Sequence, residues 1–287
     1  MKKPKKLLTR RKQAWANNFK PDVLVGQVLS PNAGTEAKYY ARLAREVEAM
    51  CEKVEARLKR FFNTDTASEY FAMDDSIASQ ARILTNRMLE EINKQFEDMA
   101  KPAAEAMASS ADAASSATVH TSLKQLSGGL SLPTAPITPE MKQILSATIT
   151  ENVNLIKTIS GQYLDGVQQA VMRSITTGNG MQDLVPYLEK HKGITIRRAR
   201  MIARDQTKKA YSNLSRARMQ NLGVKKFRWL HSGGGHTPRK LHQSYSGKIF
   251  SFDDLPILDE GRPERGIPGQ AINCGCKMIP VLEFGEE

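Results

Sequence analysis

The chain has 287 residues, 40% of them hydrophobic, which is enough to give one or two domains a core and far from a membrane composition. No apolar run approaches the roughly 18 residues needed to span a bilayer, and the charged N-terminus has only Leu7-Leu8 where a secretory signal carries an apolar stretch, so a soluble chain that is not secreted by that route is expected. The formal charge of +12 makes a partner of opposite sign the first expectation, because Lys and Arg bound to phosphate release condensed counterions and an acidic protein surface attracts them equally.

That charge is unevenly placed. Lys2, Lys3, Lys5, Lys6, Arg10, Arg11, Lys12 and Lys20 occur without an acid in the first twenty residues, as in a polyanion-binding arm or a solvated tail. Phe19 to Pro31 follows as a short mixed segment in which Val23-Leu24-Val25 can anchor the arm. From Thr35 a helical period begins, with Tyr39, Leu43, Val47, Met50, Val54 and Leu58 on one stripe up to about Asn63. A second helix starts near Thr66 or Asp74 and places Ile77, Ala81, Leu84, Met88, Ile92, Phe96 and Met99 on a matching stripe. The Ala- and Ser-rich stretch from Pro102 to Ser116 either continues that helix weakly or frays into a hinge.

Two Gly and three Pro between Ser127 and Pro139 mark the clearest boundary. Thr138 then caps a helix that has Pro139 at its first position and Glu140 in its first turn. Its apolar stripe runs to Ile175, and Gly178-Asn179-Gly180 ends it. A short amphipathic helix from Met181 to His191 is expected to pass through Gly193 into a separate basic helix, Thr195 to Leu222. The stretch from Lys190 to Arg228 contains thirteen Lys or Arg against Asp205 alone. Beyond Gly223 the period changes to two, with Phe227, Trp229 and His231 alternating against Lys226, Arg228 and Leu230 as in a half-buried strand. Further strands are expected at Lys248 to Phe252 and Cys276 to Leu282.

The fold class is therefore mainly α, with long helices and a small C-terminal α+β module holding an antiparallel sheet. The expected divisions are a basic arm and anchor (1–34), a helical region (35–126), a linker (127–139), a long-helix region (140–192) and a C-terminal module (193–287).

Three of the five His and two of the three Cys fall between His231 and Cys276. His236, His242, Cys274 and Cys276 can supply two imidazoles and two thiolates to a structural zinc ion, with His231 as a substitute ligand. The two Cys are separated by a single residue, so on an extended backbone they face the same side. The alternative is that the Cys pack and the His cap turns. Asp253, Asp254, Asp259 and Glu260 lie between the candidate ligands and would serve a metal hydrolase, but acids in a Pro-rich loop are commonly turn formers. Gly233-Gly234-Gly235 lacks the Lys-Ser/Thr of a phosphate loop. No catalytic set emerges, and a non-enzymatic chain is expected. Arg239, beside the Pro238 turn, is expected to bond a carboxylate or carbonyls and pin its loop to the basic helix. Cys51, far away on a helical stripe, is expected to be a buried thiol, and an odd Cys count argues for a reducing compartment.

The run Ile202-Ala203-Arg204-Asp205-Gln206-Thr207, then Tyr211-Ser212-Asn213-Leu214, Leu222-Gly223-Val224, Trp229, Arg239, His242, Gly247, Pro268-Gly269 and Cys274-Gly275-Cys276, resembles the C-terminal region of the Mu F-like head morphogenesis proteins of tailed bacteriophages. The resemblance runs from Ile196 to Pro280. Gly275 stands where the family pattern has Arg between the two Cys. Within the motif, Arg204, Asp205, Gln206, Trp229, Arg239, His242, Gly247, Pro268 and Gly269 are implied to be structural. The resemblance implies a minor capsid protein bound to the phage portal, in contact with other head proteins, with packaged DNA as an open further partner and no membrane. It would reside in the host cytoplasm during assembly and then in the virion interior, aiding head assembly, DNA packaging or DNA ejection. Polyanion contacts would come from Lys2, Lys3, Lys5, Lys6, Arg10, Arg11 and Lys12 of the arm and from Arg197, Arg198, Arg204, Lys208 and Lys209 of the basic helix. The rival expectations are a zinc-dependent nucleic-acid-processing enzyme and a free-standing DNA-binding protein.

Overall fold

The stripe that begins at Tyr39 forms one face of helix α1 (Ala33–Asn63), where Tyr39, Leu43, Val47, Met50, Val54 and Leu58 are all buried. In the computed structural model of the chain, residues 23–63, 76–126, 137–232 and 238–283 are described. The remaining elements are β1 (Val23–Val25), α2 (Ile77–Leu126), α3 (Pro139–Thr177), α4 (Met181–Asn221), β2 (Lys226–Leu230), α5 (Lys240–Tyr245), β3 (Ile249–Ser251) and β4 (Lys277–Glu283). The fold is mainly helical, with a small four-stranded antiparallel sheet made largely near the C-terminus. The basic arm and residues 127–136 of the expected linker lie outside the described residues.

Of the two alternatives for the Ala- and Ser-rich stretch the continuing helix is the one found, and two other local outcomes differ from the sequence expectation. Helix α2 does not fray at Pro102; it continues to Leu126. Proline removes one hydrogen bond and is disfavoured in a helix interior by about 3 kcal/mol, but Met99, Ala100, Ala103, Ala104 and Met107 are buried on both sides of it and hold the helix together. Helix α4 is likewise one element rather than two. Gly193 does not interrupt it: Leu188 before it and Thr195 and Ala199 after it are buried, and Thr195 Oγ1 donates across the position to the His191 carbonyl at 2.8 Å. Ile77, assigned to the buried stripe of α2, is 39% exposed at the start of that helix.

The start of α3 is as expected. Thr138 Oγ1 accepts the Met141 N–H at 3.3 Å, satisfying one of the orphan donors of the first turn. Thr138→Ala is therefore expected to cost about 1 kcal/mol, visible as a lower melting temperature that Thr138→Ser largely restores.

Packing divides the chain into two compact units, each gathered from separated stretches. One falls within Ala33–Ser110 and Ser146–Thr207 and is helical. Its core includes Leu43, Val47, Met88, Ile92, Phe96, Ile156, Ile159 and Val167. A buried polar chain runs through it. Tyr39 donates its hydroxyl proton to Asn152 Oδ1 at 2.9 Å. The Asn152 amide donates to the Thr148 carbonyl at 2.7 Å and to Gln206 Oε1 at 3.1 Å, and Gln206 Nε2 donates to Glu151 at 2.9 Å. Burial pushes the Tyr39 pKa up, which keeps the phenol a donor. A fully bonded set of this kind fixes helix register, because any slip leaves buried polar groups unpaired.

The other unit falls within Met1–Asn32, Ala111–Leu145 and Lys208–Glu287. Its strand order is β1-β4-β2-β3, all antiparallel. Phe227 of β2 pairs with Phe250 on one side and Pro280 on the other, and Trp229 pairs with Met278. Burial along β2 alternates as the sequence period requires, with Phe227 and Trp229 completely buried. The core formed on that face contains Leu29, Val119, Leu123, Tyr211, Met219, Phe252, Leu258, Ile267, Cys274, Cys276 and Met278. Helix α4 ends in a Gly223 turn (φ 79°), where Val224 N–H returns to the Met219 carbonyl at 2.9 Å, and the chain passes directly into β2.

Candidate metal centre

Helix α5 is six residues long and begins at Arg239, whose backbone is extended. Sequence reasoning assigned this stretch to a turn, and a helix so short carries too few residues for a period to show. Its effect is to bury His242, which is 2% exposed, edge-on against Trp229 with ring centroids 5.0 Å apart. His242 Nε2 lies 2.8 Å from the Leu258 carbonyl oxygen. A carbonyl can only accept, so that nitrogen carries the proton and Nδ1 is left with a free lone pair. Nδ1 faces the Cys274 Sγ at 3.5 Å and the Cys276 Sγ at 3.7 Å.

The two thiols come from the run into β4, separated by Gly275 and directed to the same side. Main-chain donors converge on them: the N–H groups of Cys276 and Gly269 on Cys274, and that of Ser232 on Cys276. The Trp229 indole N–H is buried without an oxygen or nitrogen partner and adjoins Cys276. Cys274 is held below the usual thiol pKa, first by its hydrogen bond with Cys276, against the opposing effect of burial. Cys276 is pushed up by that same hydrogen bond and by burial. Two sulfurs and an imidazole lone pair thus face one another, an arrangement of donors that a cation would stabilise.

His242, Cys274 and Cys276 form a buried group whose ligand atoms all lie within 4.8 Å of one another, and this group can hold a metal ion. The fit is specific. A tetrahedral ion with bonds of about 2.3 Å to sulfur and about 2.0 to 2.1 Å to nitrogen requires a nitrogen-to-sulfur separation of about 3.5 to 3.6 Å, against the 3.5 and 3.7 Å present. The Leu258 carbonyl also supplies the outer hydrogen bond that metal-bound imidazoles commonly make.

Of the other candidates, His236 falls outside the described residues. His231 is not among the grouped ligands. The loop acids are engaged elsewhere or exposed: Asp254 pairs with Arg265 at 2.7 Å and Asp259 with Arg239 at 2.6 Å. Arg239 therefore bonds a carboxylate and a carbonyl, Ile272 O at 3.1 Å, as expected, but it joins two loops to each other rather than a loop to the basic helix. That second task falls to the Pro268-Gly269 turn. Gly269 (φ 91°) lies so close to α4 that a Cβ there would come within 2.4 Å of Ser212 Oγ, and Gln270 Nε2 donates to Asn213 at 2.7 Å. Ser212, Asn213, Leu258 and Ser232 thus support the centre in ways that spacing could not reveal. Cys51 is buried, as expected, and burial raises its pKa.

The basic residues divide. Arg197 and Arg204 are exposed, and Lys208 and Lys209 half-buried. Arg198 donates to Thr158 Oγ1 at 2.9 Å, while Arg218 is internal at 6% exposure and pairs with Asp112. The predicted contacts of the arm, Lys2, Lys3, Lys5, Lys6, Arg10, Arg11 and Lys12, lie outside the described residues. Of the motif residues, Asp205 and Gln206 are buried in the helical unit, and Gly247 turns the chain between α5 and β3. Among the described residues no helix is long and apolar enough to cross a membrane.

Residues 165–279 match the model of the phage Mu protein F like protein family. An uncharacterized protein of Haemophilus influenzae is 30% identical over 285 residues, an alignment covering 98% of this chain. The chain spans 59% of that relative's length. No solved structure matches significantly. The match covers α4, the sheet strands β2 and β3, and all three grouped ligands, and we conclude that residues 165–279 form a phage Mu protein F-like domain.

Proposed function

We propose that the chain is a minor capsid protein of a tailed bacteriophage, bound to the portal inside the head, with its C-terminal sheet unit stapled by a structural zinc ion. The observation that carries the proposal is the coincidence of the Mu F-like match with the closed core that holds His242, Cys274 and Cys276. Bound zinc would supply three strong bonds between α5 and the run into β4. The chain's own residues orient the imidazole through Leu258, aim main-chain N–H groups at the sulfurs, and exclude water with Trp229. Three protein ligands leave one position of a tetrahedral ion open, but with those ligands only 2 to 7% exposed a substrate has little access to it, which supports a non-enzymatic role. The exposed Arg197 and Arg204, with the basic arm, favour contact with an acidic portal surface or packaged DNA.

The proposal is tested by co-expressing the chain with the portal, scaffold and major head proteins and isolating the assembled heads. Retention of the chain in heads, with portal recovered in its pull-down, supports the reading. Exclusion from heads assembled beside the intact chain overturns it. Tight, steeply salt-dependent DNA binding without portal recovery points instead to a free-standing DNA-binding protein, and zinc-dependent cleavage of nucleic acid to an enzyme.

A further inference from the structure

The grouped ligands are brought together by segments with little regular structure of their own. His242 rides on a six-residue helix, its orienting carbonyl Leu258 lies in a loop closed by an isolated bridge between Ile257 and Arg265, and Cys274 follows a turn in which its own N–H bonds the Ala271 carbonyl at 2.9 Å. One side chain touches the backbone frame of all three. Arg239 is the residue from which α5 starts, three positions before His242. Its Nε donates to Asp259 Oδ1 at 2.6 Å, next to Leu258, and its Nη1 donates to the Ile272 carbonyl at 3.1 Å, two positions before Cys274.

We infer that Arg239 is the positioning residue of the metal centre, a planar clamp that holds the His242 orienter and the approach to Cys274 at fixed separation. This rests on the zinc reading given above. The ion pair is about one-third exposed on each side, so its Coulombic contribution alone is small. Its value is geometric, because a guanidinium presents donors in a rigid fork and can bond two loops at once, whereas a Lys ammonium offers a single flexible point. Partners outside the ligand set of a metal commonly change affinity by about 10- to 100-fold when removed.

The test uses the full chain, with zinc affinity measured by competition against a chromophoric chelator and the site geometry followed by the thiolate-to-metal absorption of the cobalt(II) form. Arg239→Ala is expected to weaken zinc binding by about 10- to 100-fold and to shift the cobalt band. Asp259→Ala should act in the same direction, Arg239→Lys should recover part of the loss, and the Arg239→Ala/Asp259→Ala pair should lose less than the sum of the singles. Lys226→Ala removes a similarly exposed ion pair of the same unit, to Glu283, and should leave affinity unchanged. Wild-type affinity and an unaltered cobalt band in Arg239→Ala overturn the inference, as does an equal loss in Lys226→Ala. Should Arg239→Ala fail to fold, Asp259→Ala decides: unchanged affinity there also overturns it. Failure of the unaltered chain to bind either metal removes the zinc reading, and the clamp with it, before any variant is compared.

Discussion

Replacing both sulfur ligands, Cys274→Ala with Cys276→Ala, is expected to reduce bound zinc from about one ion per chain to background and to destabilise the sheet unit. Zinc held with free ion at about 1,000 times its dissociation constant contributes about 4 kcal/mol, and about 1 kcal/mol displaces the melting temperature of a chain this size by roughly 2 to 4 °C. A fall of about 10 °C follows, with the same fall in unaltered protein treated with a strong chelator. The double variant should no longer respond to chelator, which separates loss of metal from loss of packing by two buried side chains. Trp229 supplies the readout, since its indole lies against His242 and adjoins Cys276, and opening of the site would change its fluorescence. Cys51→Ala, in the helical unit, should leave zinc content as it was. Equal zinc content in the Cys274/Cys276 variant and the unaltered chain would show that the ion binds elsewhere.

Asp112→Ala is expected to be the most damaging substitution outside the centre. Arg218 Nη2 donates to Asp112 at 2.8 Å and Nη1 to Ser115 at 3.2 Å, and Ser215 donates to Ser115 at 3.0 Å. The Arg218 and Asp112 side chains are only 7% and 16% exposed. Removing the carboxylate leaves a buried guanidinium without its counterion, a change that costs about 3 to 5 kcal/mol. Replacing both partners, Arg218→Met with Asp112→Leu, should cost much less, because apolar groups of similar volume need no compensating charge. Chemical denaturation of the two variants provides the comparison. A double variant as unstable as Asp112→Ala would mean that shape, not charge, governs this position.

Long amphipathic elements were legible because their signal is repeated many times. The α1 stripe, the Thr138 cap, the end of α3 and the alternation along β2 each follow from a period or a terminus that local chemistry determines. Legibility failed where burial elsewhere overrode propensity. Pro102 and Gly193 are breakers by local preference, yet both lie inside continuous helices because the turns on either side are anchored. Strand β1 was visible only as an anchor of unknown partner, since three residues carry no period. At the candidate centre, the concentration of His and Cys indicated which residue types would meet, and His242, Cys274 and Cys276 do. What the spacing did not contain was the orienting carbonyl of Leu258, the main-chain donors from Gly269 and Ser232, and the clamp from Arg239 to Ile272, because backbone groups have no signature in a sequence. The same limit explains Arg218, which reads as one more cation in a basic block and is instead paired internally with Asp112, far away in the chain.

Strand pairing in the sheet unit carries a consequence for biosynthesis. Val23 faces Glu283 across the β1–β4 ladder, and β4 is also the central neighbour of β2. The stretches of the helical unit end at Thr207, so that unit can be complete while the ribosome is still adding residues. The sheet unit must wait with Phe227 and Trp229 uncovered until β4 clears the exit tunnel, and pairing over so long a separation is slow. Nascent chains that stall before Lys277 would present sticky aromatic surface to chaperones and proteases.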